Sequence, residues 1–144
     1  MFKFIHGADF HLDSPFGALP AEQAAHRRRE SRQMRGRLAD YVRESGVDLV
    51  LLAGDLFDGA GAFRDTGEQL ARALERMEVP VCIAPGNHDP FVPGGVWESV
   101  CWPDNVCIFR KNVMMSVELP QWNAVVHGAA FTGPEQGSSL LAGF

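Results

Sequence analysis

The chain has 144 residues, of which 46% are hydrophobic and 22% are charged, and its 18 acidic and 13 basic side chains give a formal net charge of -5. This size and apolar content predict one compact domain and exclude a disordered or low-complexity chain. Every apolar run is shorter than the roughly 20 residues that cross a bilayer, and Asp9 and Asp13 interrupt any signal-peptide core. We therefore expect a soluble cytoplasmic protein with no membrane partner.

The first half of the chain alternates between predicted strands and helices. The apolar start at Met1 predicts a strand that ends near His6, and Gly46 is expected to end the first helix. The patterns that follow predict a helix over 22–45 with Met34, Leu38, Tyr41 and Val42 on its buried face, a strand over 47–53, a helix capped by Asp65 or Thr66, and a strand over 79–84. This alternation predicts a βαβαβ unit with a parallel sheet, whose ligands lie beyond the carboxyl ends of the strands.

The second half changes to short segments after Gly95. Residues 106–109, 113–119 and 124–127 are apolar and are separated by turn-like residues, which predicts antiparallel strands. The cysteines Cys82, Cys101 and Cys107 lack the C-x-x-C spacing of zinc or redox sites, so we expect packed thiols. The fold class is therefore α/β, with a parallel sheet followed by antiparallel strands.

Three polar clusters follow the three predicted parallel strands. They are Asp9-Phe10-His11, Gly54-Asp55-Leu56-Phe57-Asp58 and Gly86-Asn87-His88-Asp89. Residues two apart in an extended segment project to the same side, so we expect Asp9 and His11 to bind one cation. Gly54 allows a tight turn after its strand, and the two carboxylate oxygens of Asp55 can bridge two cations.

The third cluster adds a neutral ligand and a titratable group. Asn87 offers a carbonyl oxygen, and its neighbour His88 is expected to stand close to the metals as a proton-transfer group. Asp89 is available to orient the His88 ring.

The order Asp-x-His, Gly-Asp-x-x-Asp and Gly-Asn-His-Asp resembles the signature of the calcineurin-like metallophosphoesterases. More narrowly, the segments FIHGADFHLDSPFGAL and GNHDP resemble the SbcD/YhaO-like DNA repair exonucleases. The resemblance implies an α/β/β/α sandwich, of which residues 1–144 would form the N-terminal part. It also implies a metal-dependent phosphoesterase acting on DNA ends, with a possible SbcC-like or Rad-type coiled-coil ATPase as partner.

The resemblance further implies a role for each motif residue. Asp9 and His11 would bind the first metal, Asp55 would bridge, Asn87 would bind the second metal, His88 would be catalytic with support from Asp89, and Asp58 would orient a ligand. In such enzymes two divalent ions generate a hydroxide that attacks phosphorus in line with the leaving oxygen. Nitrogen and oxygen ligands without thiolate favour manganese, with magnesium or iron as alternatives.

Members of the resembled family carry a Gly-His segment and a Gly-His-x-His segment further along, and this sequence ends at Phe144 without them. The motif residues offer five protein bonds, whereas two ions together need about ten to twelve. We therefore expect a truncated catalytic domain that holds at most one metal firmly and has little or no turnover. His127 can be recruited as a ligand, but a strand-end histidine is the favoured interpretation.

Two further features allow more than one interpretation. The segment from His26 to Arg37 holds six of the eleven arginines, which form either a solvent-facing helix surface or a contact surface for a phosphate backbone. Phe91, Trp97 and Trp102 form either a stacking surface for bases or core packing.

Three functions are consistent with the sequence. The leading one is a phosphodiesterase acting on DNA, and the second is a phosphomonoesterase or small-molecule phosphodiesterase, because the same metal constellation hydrolyses many phosphate esters. The third is a non-catalytic binding module.

Overall fold

The computed structural model describes residues 1–59, 63–142 and 144. The predicted order of strand, helix, strand, helix, strand is confirmed, and further elements follow it. The elements are β1 (Phe4–Gly7), α1 (Ala21–Ser45), β2 (Leu49–Ala53), α2 (Arg64–Glu75), β3 (Val81–Ala84), α3 (Val96–Ser99), β4 (Val106–Ile108), β5 (Met115–Leu119), a 3-10 turn (Pro120–Trp122) and β6 (Ala124–Gly128).

Strands β1 to β4 form one parallel sheet in the order β1-β2-β3-β4, and β5 and β6 form an antiparallel pair. Side chains along β2 alternate between two apolar clusters. Val50 and Leu52 join the cluster that contains α1 and α2, whereas Leu49 and Leu51 pack with residues of β5 and β6. Because both faces of this strand are covered, its sequence is a continuous apolar run.

The fourth strand corrects one prediction. Residues 106–109 were expected to be antiparallel, but Val106–Ile108 pairs with β3 in parallel, with Val81 opposite Val106 and Ile83 opposite Ile108. The long connection after β3, which includes α3, returns the chain to the same end of the sheet, as a parallel neighbour requires. The antiparallel prediction is confirmed for β5 and β6.

Helix α1 ends as predicted, and its buried face agrees only in part with the prediction. Gly46 adopts a left-handed conformation with φ of 61° directly after the helix. Val42 is buried and Leu38 packs against the core, as predicted, but Tyr41 is 60% exposed, so its assignment to the buried face is wrong. Arg35 and Ala39, which were not assigned to that face, are also buried, and Ala39 belongs to the apolar cluster that contains Val50 and Leu52 of β2. No helix of the described ranges is both long and apolar enough to cross a membrane.

The start of α2 also differs from the prediction. Neither Asp65 nor Thr66 caps the helix, which begins at Arg64 with Phe63 at the capping position. Asp13, from the loop after β1, accepts hydrogen bonds from the Phe63 backbone N–H (3.2 Å) and the Thr66 hydroxyl (2.8 Å). A distant carboxylate therefore serves this helix terminus, which local sequence patterns do not reveal.

The cysteines are all free thiols, but they are not all packed. Cys82 is buried and burial raises its pKa to about 11, whereas Cys101 is exposed. The expectation of packed thiols is therefore wrong for Cys101, which follows buried Val100 at the surface end of α3.

Candidate metal centre

The loops after β1 and β2 lie side by side at the carboxyl edge of the sheet. The Asp9 backbone N–H donates to the Gly54 carbonyl oxygen at 3.1 Å, and the His11 N–H donates to the Asp55 carbonyl oxygen at 3.0 Å. The parallel pairing of β1 with β2 thus continues into the loops. This pairing is what brings the first two polar clusters together.

Three of the site residues have left-handed backbone conformations. The φ angles are 58° at Asp9, 43° at His11 and 53° at Asp55. The expectation that Asp9 and His11 share one side of an extended segment is therefore wrong, because β1 has already ended at Gly7. Such conformations cost about 1–3 kcal/mol each outside glycine and are concentrated at functional sites.

Asp9, His11 and Asp55 form a cluster of candidate metal ligands. One ligand atom from each lies within 4.8 Å of the other two. The His11 Nε2 is 3.9 Å from Asp9 Oδ1, and the Asp9 side chain is 72% exposed. Two carboxylates and an imidazole at this spacing can surround one divalent cation.

Asp58 fixes the His11 ring. The Nδ1 of His11 lies 3.0 Å from Asp58 Oδ1. Because an ionised carboxylate can only accept a hydrogen bond, Nδ1 is the donor in this contact, and in a neutral ring Nε2 then carries the lone pair. A histidine held in this way has the orientation that metal-binding histidines commonly have, and the orienting role of Asp58 stays a prediction.

The third loop brings His88 to the same place. Its backbone N–H donates to Asp55 Oδ1 at 3.0 Å, and its ring packs edge-on against the His11 ring with centroids 5.1 Å apart. Ligand atoms of His11, Asp58 and His88 also lie within 4.8 Å of one another. Asn87 is exposed and directly precedes His88 in this loop. The structure thus brings Asp9, His11, Asp55, Asp58 and His88 together at one edge of the sheet. The exposed Asn87 side chain instead lines a pocket formed with Phe131 and residues 134–141.

Two glycines allow the second and third loops to meet. Gly54 has a φ of 84°, and a side chain there would meet the Gly86 backbone 3.5 Å away. A side chain at Gly86 would overlap the Asp55 carboxylate. Gly54 therefore turns tightly after β2, as predicted, and Gly86 provides the space in which Asp55 lies.

Asp89 has a different position from the one predicted. It is fully buried, and its carboxylate accepts hydrogen bonds from the backbone N–H groups of Gly86 (2.7 Å), Asp55 (3.2 Å), Leu56 (2.9 Å) and Phe57 (3.2 Å). All the hydrogen bonds that described residues give this carboxylate come from the backbone, so Asp89 clamps two loops instead of orienting the His88 ring. Burial raises the pKa of Asp89 to about 6, and the N–H donors oppose that rise.

Trp97 is a supporting residue that the motifs did not identify. Its Nε1–H donates to the Asp89 carbonyl oxygen at 2.5 Å, and its indole is 2% exposed. Trp97 stacks on Trp102, with centroids 5.2 Å apart, and meets the edge of Phe57. Of the two interpretations of Trp97, core packing is therefore correct and a stacking surface for bases is wrong. The signal available in the sequence was a large aromatic residue eight positions after Asp89.

His127 takes no part in the clusters formed by the described residues. Its Nδ1 lies 2.9 Å from the Ser116 hydroxyl across the β5–β6 pair, and its ring packs against Phe144. The strand-end interpretation of His127 agrees with these contacts.

Parts of this chain match known proteins. Residues 2–130 match the family model described as calcineurin-like phosphoesterase. A Bacillus subtilis protein named uncharacterized metallophosphoesterase YhaO is 41% identical over 117 residues, which are 76% of this chain and 28% of that protein. A probable cyclic nucleotide phosphodiesterase of Fibrobacter succinogenes is 44% identical over 54 residues, which are 36% of this chain and 20% of that protein. The chain thus spans less than a third of the length of these curated relatives.

Proposed function

The chain belongs to the calcineurin-like phosphoesterase family, and from this premise we propose that the complete protein is a metal-dependent phosphodiesterase that degrades DNA from its ends. The observation that carries the proposal is the convergence of Asp9, His11 and Asp55, with ligand atoms within 4.8 Å of one another. His88 lies at the same focus, against the His11 ring. Together these groups supply cation ligands and a proton-transfer group in one place.

The donor set fits a divalent cation. Asp9, His11 and Asp55 offer two carboxylates and one imidazole without a thiolate, a combination that suits manganese, magnesium or iron. We propose manganese at this first position and a second ion held by Asp55 and Asn87. When bound, divalent cations supply activation of a water nucleophile and neutralisation of phosphate charge.

The chain's own residues orient the ligands and move the proton. Asp58 holds His11 through Nδ1, so that Nε2 is the nitrogen that faces Asp9. The His88 N–H fixes Asp55 through Oδ1. The exposed His88 side chain is then free to protonate the leaving oxygen of the ester.

The choice of DNA rests on the resemblance to the SbcD/YhaO-like exonucleases and on the arginines of α1. A second candidate is a cyclic nucleotide phosphodiesterase, which the name of the Fibrobacter relative favours. A coiled-coil ATPase partner remains a prediction from the family resemblance.

The experiment compares substrates of the complete protein. With Mn²⁺ present, hydrolysis is measured on linear DNA, closed circular DNA, a cyclic nucleotide and an aryl phosphomonoester, with Asp55→Asn as background control. Mononucleotides released from linear but not circular DNA support the proposal. Turnover of the cyclic nucleotide alone supports the second candidate. If no ester is hydrolysed while Mn²⁺ is bound, the protein is a binding module.

A further inference from the structure

A cleft with three arginines lies beside the first loop of the site. Arg28, Arg32 and Arg35 of α1 line it, and Asp13 and Ser14 lie on the opposite wall. We call it the arginine cleft. The Ser14 backbone N–H donates to the His11 carbonyl oxygen at 3.1 Å, so the cleft and the candidate metal centre share one loop.

Arg35 is the unusual member of this group, because it is only 6% exposed. Its Nη2 donates to Gln69 Oε1 at 2.6 Å, but its buried Nη1 has no hydrogen-bond partner among the described residues. Burial lowers the pKa of this guanidinium. A buried cationic donor without an acceptor is costly, so an acceptor from outside the chain would stabilise it. The solvent-facing interpretation of the arginine run is thus wrong for Arg35.

The charge balance of the cleft favours an anion. Asp13 is the carboxylate of the lining, and its two oxygens already accept hydrogen bonds from Phe63 and Thr66 at the start of α2. Asp65 of α2 also acts on Arg35, so three guanidinium groups against two carboxylates leave an excess of one positive charge. Arg28 is held in place because its Nη1 donates to the Pro15 carbonyl oxygen at 2.7 Å.

The size of the cleft limits how an anion can lie in it. The cleft is small, with a volume of about 30 Å³. Only part of an anion can therefore enter it, and the rest would lie at the mouth, near exposed Arg32. Tetrahedral phosphate has this shape, with oxygens that arginine pairs bind well.

We propose that the arginine cleft binds a phosphate group, which in the substrate of the proposed function is a phosphate other than the one being hydrolysed. The identity of that phosphate rests on the proposed function, whereas phosphate binding by the cleft does not. One loop would then contribute His11 to the cation centre where the ester is hydrolysed and, through the cleft, a contact to a neighbouring phosphate. Such a second contact favours binding of a substrate that carries several phosphates over binding of a monoester.

Binding in the absence of divalent cations tests the cleft alone. The chain is titrated by calorimetry in a chelator with inorganic phosphate and, separately, with a short single-stranded oligonucleotide. The variant with Arg28→Ala and Arg32→Ala together is expected to bind both about tenfold or more weakly, since it loses two charge-assisted contacts. Arg37→Ala removes an exposed charge of the same helix outside the cleft and is expected to change affinity less than about twofold.

The outcomes separate the sources of phosphate. Arginine-dependent binding of phosphate alone supports a site for the free anion, and arginine-dependent binding of the oligonucleotide supports a backbone contact. Equal losses in the Arg37 control overturn the proposal, because general charge would then explain binding. Absence of saturable binding of either probe also overturns it, since water alone would fill the cleft. If the complete protein does not hydrolyse DNA but the cleft still binds phosphate, the proposed function is refuted and the proposed phosphate site is retained.

Discussion

The two proposed cation positions differ in how they are built. At the first, Asp9, His11 and Asp55 converge on loops that backbone hydrogen bonds hold together. At the second, the described residues offer Asp55 and the exposed amide of Asn87, with exposed His88 beside them. The ligands of the first position and the proposed proton-transfer group belong to separate loops, so single substitutions should affect cation binding at the first position or proton transfer without affecting both.

The largest difference between the effect on turnover and the effect on cation affinity is expected at His88. In the complete protein, His88→Ala should lower turnover of a phosphodiester about 10²- to 10⁴-fold, because it removes the proton-transfer group. Mn²⁺ affinity at the first position should not change, because the backbone N–H that contacts Asp55 is retained. Steady-state kinetics and calorimetry measure the two effects. His26→Ala, on exposed α1, is the control, and a parallel fall in Mn²⁺ affinity would contradict the separation.

Asp55 is the residue that both positions share. Titration of the wild-type chain with Mn²⁺ is expected to show one tight site. Asp55→Asn should weaken Mn²⁺ binding at that site more than about 100-fold, a larger loss than removal of a residue that only orients a ligand would cause. The physical reason is the loss of the carboxylate charge from a three-residue ligand set. Asp104→Asn removes an exposed carboxylate elsewhere and should leave the titration unchanged. Two tight sites in the wild type would show that the positions are equally complete.

Asp58 should have a smaller effect, confined to the first position. Asp58→Ala removes the acceptor that fixes His11, and Mn²⁺ affinity should fall about 10- to 100-fold. Asp58→Asn keeps an acceptor oxygen without the charge and should lose less. Calorimetric titration of both variants measures the difference. If both retain wild-type affinity, Asp58 does not orient a ligand.

The sequence predicted the parts of the site that depend on local composition. The apolar runs predict β2 and β3, and the motifs after them predict that Asp55 and His88 are neighbours. The carboxyl ends of parallel strands meet at one edge, so the topology alone implied their convergence. The geometry at Asp9 and His11 was predicted for the wrong reason, because left-handed turns and not strand alternation bring them together.

Tertiary contacts decided what the sequence left open. From its position next to His88, Asp89 was predicted to orient the His88 ring. In the structure, four backbone N–H groups converge on its buried carboxylate. Arg35 belongs to a charged run, yet the packing of α1 against α2 buries it beside Gln69. No periodicity distinguishes a charge that will be buried from one that stays solvated. The parallel direction of β4 likewise depends on a long connection and not on its three residues.

The last and smallest expected effect is at Trp97, where the Asp89 clamp can be tested. Trp97→Phe keeps an aromatic side chain but removes the donor to the Asp89 carbonyl, and an unsatisfied buried acceptor lowers the free energy of unfolding by about 1–3 kcal/mol. Because Asp89 and His88 share the third loop, Mn²⁺ affinity at the first position should change less than about twofold. Chemical denaturation and calorimetry measure both quantities, with Trp122→Phe, which packs on Phe2, as the matched control. A loss of Mn²⁺ affinity as large as that of Asp58→Ala would show that the third loop also supports the first position.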